Sequence, residues 1–361
     1  MSRSTTHRSP ARNEVQEAPP DSPLTTKEGW RRFVEHEPVP PVLMSAGERA
    51  ALSPRERLRD DERRRDYHAD LPLVNTPTIR KVIATSRLLV QLNRRQFSAR
   101  RGVIISGASG TGKTTALSQL GRAHELATRR RFPRERGRLP VLYATVPPAA
   151  TPRMLAMEFA RFFGLDFPRR ANITDVVNSV CTTAAHTNVD LVLIDELHNL
   201  NLGTRTGAEA SDQLKYFAER LPATFIYAGI DVEDQGLFAG TRGRQIAGRF
   251  TVIPASPFSY TPGADRDAWQ ALVGTLESML RLRHHQPGTL AGMGEYLYHR
   301  TGGMIGTLSQ LIRGAAVLAM EDSSERITQE LLEAVPIDYA AEQSERLTAP
   351  TKSRKRRNRA A

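Results

Sequence analysis

From residue 102 onward, short apolar runs alternate with longer segments whose apolar positions recur every three or four residues. Runs at 102–106, 140–145, 189–195 and 223–229, with a fifth near 249–253, have the length and continuity of strands buried on both faces. Between the first two, residues 114–126 carry Ala116, Leu117, Leu120, Ala123 and Leu126 at helical spacing. Strands alternating with helices predict a parallel sheet covered on both sides, with a ligand at the carboxyl ends of the strands. After Pro257 the pattern turns wholly helical, at 265–282, 289–299, 304–319 and 327–335.

Ahead of the sheet, helices are expected at 27–35, carrying Trp30, Phe33 and Val34, at 53–67, and at 78–95, with Pro38, Pro40 and Pro41 breaking the chain after the first. The 53–67 segment mixes charges of both signs, which favours a solvated helix over a dedicated nucleic-acid contact. The chain thus divides into a Ser/Thr/Pro/Arg-rich segment, 1–25, expected to be disordered, a helical extension, 26–100, an α/β unit, 101–257, a small all-α unit, 258–340, and a basic tail, 341–361.

The turn after the first strand carries the chemistry. Gly107-Ala108-Ser109-Gly110-Thr111-Gly112-Lys113-Thr114 is a complete G-x-x-x-x-G-K-[ST] loop, followed by Thr115. Its glycines let main-chain N–H groups wrap a polyphosphate at a helix N-terminus, Lys113 reaches the β- and γ-phosphates, and the Thr114 hydroxyl suits Mg²⁺. The run 189–195 ends in Asp195-Glu196. Asp195 fits a magnesium ligand, and Glu196 fits a base that polarises an attacking water. ATP and Mg²⁺ are therefore the expected ligands, and ATP hydrolysis the expected reaction.

Length and composition set the surroundings. The 361 residues are 39% hydrophobic, enough for a sizeable core, and 51 Lys+Arg against 39 Asp+Glu leave a net charge of +12. That balance favours polyanionic partners. No stretch approaches the ~20 apolar residues that span a bilayer, and the first residues lack a signal-peptide core. The single Cys181 excludes an intramolecular disulfide and reads as a small core residue, so a reducing, cytoplasmic location is expected. His284-His285 reads as a solvated loop.

An α/β nucleotide unit followed by a helical lid, with Asp-Glu at the Walker B position, resembles the AAA+ ATPases. Three finer features, Tyr67-His-Ala-Asp-Leu-Pro-Leu-Val-Asn-Thr-Pro77, Ile194-Asp-Glu-Leu-His-Asn199 and Gly302-Gly-Met-Ile-Gly-Thr-Leu308, resemble the TniB family of transposition ATPases, relatives of TnsC and IstB. The resemblance implies a homo-oligomeric ring or filament on double-stranded DNA that recruits or activates a DDE-type transposase, with a target-selection protein as a further partner. It also implies an arginine finger, for which Arg249 stands in the matching position and Arg242 and Arg244 compete. A polar sensor is expected after Ala228-Gly229, where Ile230 stands and Asp231 follows; Asp231 either substitutes for it or caps the next helix. Gly306 occupies the place of a lid sensor arginine, with Arg313 two turns further on.

DNA contacts are expected from two loops, 145–153 with Arg153 and 201–207 with Thr204 and Arg205, whose groups suit backbone phosphates. Generic helix-entry loops would look the same. His198 and Asn199 either couple DNA contact to hydrolysis or serve local packing. A signalling or protein-remodelling NTPase acting on a protein partner without DNA is the competing function.

Overall fold

A computed structural model of the chain describes residues 22–135, 137–200, 204–233, 247–338 and 342. The expected segment 1–25 and the tail 341–361 lie almost wholly outside these residues, as do Arg242, Arg244 and positions 201–203 of the second expected DNA loop.

Four helices precede the sheet: α1 (Lys27–Glu35), α2 (Ala46–Ala51), α3 (Pro54–Ala69) and α4 (Pro77–Asn93). Thr26, Ser45, Ser53 and Thr76 cap them, each side-chain oxygen accepting a first-turn N–H. The α/β unit then runs β1 (Gly102–Ser106), α5 (Lys113–Arg131), β2 (Val141–Thr145), α6 (Pro152–Phe163), α7 (Ile173–His186), β3 (Leu191–Asp195), α8 (Arg205–Arg220), β4 (Thr224–Gly229) and β5 (Phe250–Pro254). All five strands are parallel, in the order β2-β3-β4-β1-β5. The apolar runs are continuous because helices cover both faces. The order places β4 between the strand that leads into the phosphate loop and the strand that ends in Asp195.

The α1 helix belongs to this unit. Trp30 is fully buried, stacks on Tyr143 at 5.7 Å between centroids, and donates from Nε1 to Glu125 at 2.5 Å. Gly121 of α5 leaves room for its ring, since a Cβ there would lie 2.5 Å from Trp30 and 2.6 Å from Leu193.

The lid comprises α9 (Ala264–Met279), α10 (Thr289–Gly292), α11 (Gly294–Thr301), α12 (Ile305–Glu321) and α13 (Gln329–Ala334). The expected helix 289–299 is interrupted at Met293. Trp269, Leu272, Leu276, Leu308, Leu311 and Ile312 form the lid core, which Tyr67 and Leu71 complete from outside it in sequence.

The helix expected to be solvated is therefore one wall of the lid. Arg64 of α3 is 0% exposed. Its two terminal nitrogens donate to the two oxygens of Glu325, each at 2.7 Å, and Arg283 donates to Glu325 at 2.6 Å and to Asp60 at 3.1 Å. The Arg49 guanidinium, bonded to both oxygens of Asp61 at 2.8 Å, holds that carboxyl down to about 2. Such charges are tolerated inside only when paired and hydrogen-bonded, and the pairing across to the lid is what carries them in. His285 departs from expectation for the same reason: its ring is buried against the buried Glu277 carboxylate at 3.0 Å and accepts the Ile327 N–H at 3.3 Å.

Candidate nucleotide site

The loop from Gly107 to Thr114 joins β1 to α5. Gly107, Gly110 and Gly112 have φ of 154°, 78° and 86°, where a side chain is strained. A Cβ on Gly107 would sit 2.1 Å from Ala255 O. No side chain caps α5, whose N-cap is Gly112, so its first N–H groups remain available to an anion. Lys113 is buried and donates to Ala108 O at 2.6 Å, and the Thr111 hydroxyl donates to the same carbonyl at 2.8 Å. Burial pulls the Lys113 ammonium below its usual range, and the carboxylates of Asp195, Glu196 and Asp231 pull it back up. Ser109 and Thr114 are exposed, and Ala108 and Thr115 half-buried.

Asp195 is buried at the end of β3, opposite Thr145 in register. One carboxylate oxygen accepts the Glu196 N–H at 2.9 Å, the other the Tyr143 hydroxyl at 2.9 Å. Burial and the neighbouring Asp195 raise the Tyr143 hydroxyl well above its usual value, so it stays a donor. A carboxylate offers about four lone-pair positions, which leaves Asp195 capacity for a cation. The hard oxygens of Asp195 and Thr114 are the donor type Mg²⁺ takes. Glu196 has φ 57° and a side chain 42% exposed, directed to His198 Nε2 at 3.2 Å.

Two contacts were not legible in the motifs. The Ser106 hydroxyl accepts the Val232 N–H at 2.9 Å and donates to Glu233, tying the segment after β4 to the start of the loop. The lid reaches the loop through Gly306, whose N–H donates to Gly110 O at 3.2 Å. A Cβ on Gly306 would lie 3.1 Å from that oxygen, and one on Gly112 3.3 Å from Ile305. The sensor position thus brings a close main-chain approach in place of a guanidinium. Arg313 is turned away to the carbonyl of Ala69 on α3. Asp231 is exposed just past β4, with φ 39°.

The outlying residues are dispersed. The Arg249 carbonyl accepts the Gly102 N–H at 3.0 Å, so Arg249 stands at the amino end of the sheet, a strand length of ~16 Å from its own phosphate loop. Its side chain is 38% exposed, 3.9 Å from Glu219, and borders a cavity of about 80 Å³ with Leu214, Phe225 and Phe250. Arg153 is turned inward: its guanidinium donates to Ala171 O at 2.5 Å and Arg169 O at 2.7 Å, holding the loop before α7. Thr204 caps α8 by accepting the Gly207 N–H at 3.1 Å. Arg205 is 92% exposed, beside Glu209 at 2.9 Å. Among the described residues, no single helix is long and apolar enough to cross a membrane.

A parallel sheet in this order, a glycine-rich phosphate loop on β1, paired carboxylates ending β3 and a helical lid against the loop define a P-loop NTPase fold of the AAA+ type. Its fold is similar to that of the Aeropyrum pernix ORC1 protein, solved in complex with DNA, at 17% identity over 77% of this chain and 67% of that one, with a TM-score of 0.53. It is also similar to Aeropyrum pernix ORC2, solved in ADPNP–ADP complexes, at 18% identity over 74% of this chain and 70% of that one, with a TM-score of 0.56. Residues 66–260 match the family described as Bacterial TniB protein, and the chain belongs to the TniB family. The match runs from the end of α3 to just before the lid. A search of curated proteins finds no match.

Proposed function

We propose that the protein is an ATP-dependent, DNA-binding regulator of transposition. In this reading it assembles on target DNA as a ring or filament, recruits or activates a DDE-type transposase, and uses ATP hydrolysis to control the assembly. The observation that carries the reading is the convergence of Lys113, Asp195 and Glu196 beside a glycine loop, in a chain of the TniB family with net charge +12. The DNA named with one structural relative is consistent with it.

ATP is the substrate. The loop N–H groups and Lys113 bind its phosphates. Asp195, fixed by Tyr143 and the Glu196 N–H, and the Thr114 hydroxyl would hold Mg²⁺. When bound, that ion would supply neutralisation of the phosphate charge. Glu196 accepts the proton of a water whose oxygen attacks the γ-phosphorus, and the bond to the ADP oxygen breaks. Arg249 is remote from its own loop, so its guanidinium acts on the neighbouring subunit's γ-phosphate, where permanent planar charge suits the transition state. Of the DNA loops, the reading retains Thr204 and exposed Arg205; Arg153, spent on carbonyls, serves as a loop clamp.

A duplex-DNA mobility shift with ATP, ADP or no nucleotide tests the reading, alongside phosphate release. A salt-sensitive shift that requires ATP and lasts longer in Glu196→Gln is expected. No shift under any nucleotide condition would transfer the function to a protein partner alone.

A further inference from the structure

His198 lies on the single 3₁₀ turn Leu197–Asn199 that follows the paired carboxylates. Both of its ring nitrogens are engaged. Nδ1 lies 3.4 Å from the main-chain nitrogen of Ile230, and Nε2 3.2 Å from Glu196 Oε2. A main-chain N–H only donates, so Nδ1 carries the lone pair. The neutral ring's one proton is then on Nε2, the nitrogen 3.2 Å from the carboxylate.

The turn that holds this ring is pinned on two sides. Asn199 Nδ2 donates to Val146 O at 2.8 Å, just past the end of β2. On the other side Gly229 ends β4, where a Cβ would lie 3.1 Å from the His198 nitrogen and 2.8 Å from Val232. A glycine is needed for the turn to close against the strand. Gly229 in turn pairs in register with Ser106 at the start of the phosphate loop. Among the described residues, His198 is the one basic side chain within 4.0 Å of the Glu196 carboxylate.

We infer that His198 is the positioning residue of the hydrolytic base, holding the Glu196 carboxylate through Nε2–H while its Nδ1 is held by the Ile230 N–H at the end of β4. The inference rests on the reading of Glu196 as the base. It gives the apolar residue after Ala228-Gly229 a function: the main chain of Ile230, rather than its side chain, connects the phosphate end of β4 to the base. A shift of that main chain on nucleotide binding is transmitted through one imidazole to the group that accepts the water's proton.

The test compares His198→Phe, which keeps ring volume without nitrogen, with His198→Gln, whose amide N–H reaches toward the Nε2 position. Both are made alone and with Glu196→Gln, and single-turnover phosphate release is followed with KM and nucleotide affinity. His198→Phe should lower kcat roughly 10- to 100-fold, the scale of a misplaced catalytic group, with KM and nucleotide affinity unchanged. His198→Gln should recover most of the rate. In the Glu196→Gln background the Phe change should add no further loss, because both act on one group. Wild-type kcat in His198→Phe beside an inactive Glu196→Gln overturns the role of His198 alone. So does equal impairment by Phe and Gln, or a full additional loss in the double variant. Wild-type turnover in Glu196→Gln instead removes the base assignment, and this role with it.

Discussion

Acid should loosen the lid from α3, because His68 is bonded in a way only a neutral ring satisfies. Its Nδ1–H donates to Arg64 O at 2.8 Å, and its Nε2 accepts the Arg281 N–H at 3.0 Å. A second proton would have to enter at Nε2, against that donor and near the Arg64 guanidinium. Burial, aided by these cations, lowers the His68 pKa from 6.5 to about 4. Between those values the unfolded chain holds a proton that the folded chain refuses, so stability rises with pH across this window. The contribution is complete above pH 6.5 and is lost as pH falls toward 4. Linkage puts the loss at about 2 kcal/mol by pH 5 and about 3 kcal/mol by pH 4. The chain has two tryptophans, Trp30 in the α/β unit and Trp269 in the lid core. In a Trp30→Phe background, urea unfolding followed by Trp269 fluorescence reports the lid. Compared with His68→Asn in that background, the His68 protein should lose about 2 kcal/mol more between pH 7.5 and pH 5. Parallel pH curves for the two proteins would refute the argument.

Lys113→Ala should weaken ATP binding roughly 10- to 100-fold, the value of charge-assisted hydrogen bonds to phosphate, measured by titration calorimetry. Arg249→Ala should cut steady-state turnover by at least about 100-fold while single subunits keep their ATP affinity; an excess of catalytically dead subunits with Arg249 intact should restore part of the rate. Arg205→Ala should flatten the log–log salt dependence of DNA binding by about one unit, whereas Arg153→Ala should leave the slope unchanged. Gly121→Ala should cost about 1–3 kcal/mol, read from thermal unfolding, because the new methyl enters the space of Trp30 and Leu193.

The parts of this fold that sequence reveals are those written locally. Each strand of a doubly covered parallel sheet is an apolar run, so all five lie within a residue or two of the expected positions. The phosphate loop is a contiguous backbone device, and Asp195-Glu196 follows its strand directly. What sequence hides depends on partners distant along the chain. Arg64 reads as a surface residue until Glu325 is placed against it, and His285 until Glu277 is. The Tyr143 bond to Asp195 depends on strand register, which periodicity does not supply. The Gly306 contact with Gly110 depends on how closely two main chains approach, which a residue type permits without announcing.

The wall that α3 lends to the lid also has a history in time. Arg64 and Glu325 are 261 residues apart, so at ribosomal speed α3 is made about 13 to 50 s before its partner exists. Throughout that interval a guanidinium destined for a dry interior, together with Tyr67 and Leu71, must wait in water. The nearby carboxylates of Asp60 and Asp61 lie within one helical turn of Arg64, at 3.5 and 2.6 Å in the finished protein, and both are already synthesised. The mixed charges that make α3 look like a surface helix thus suit it to being one, for as long as the nascent chain requires.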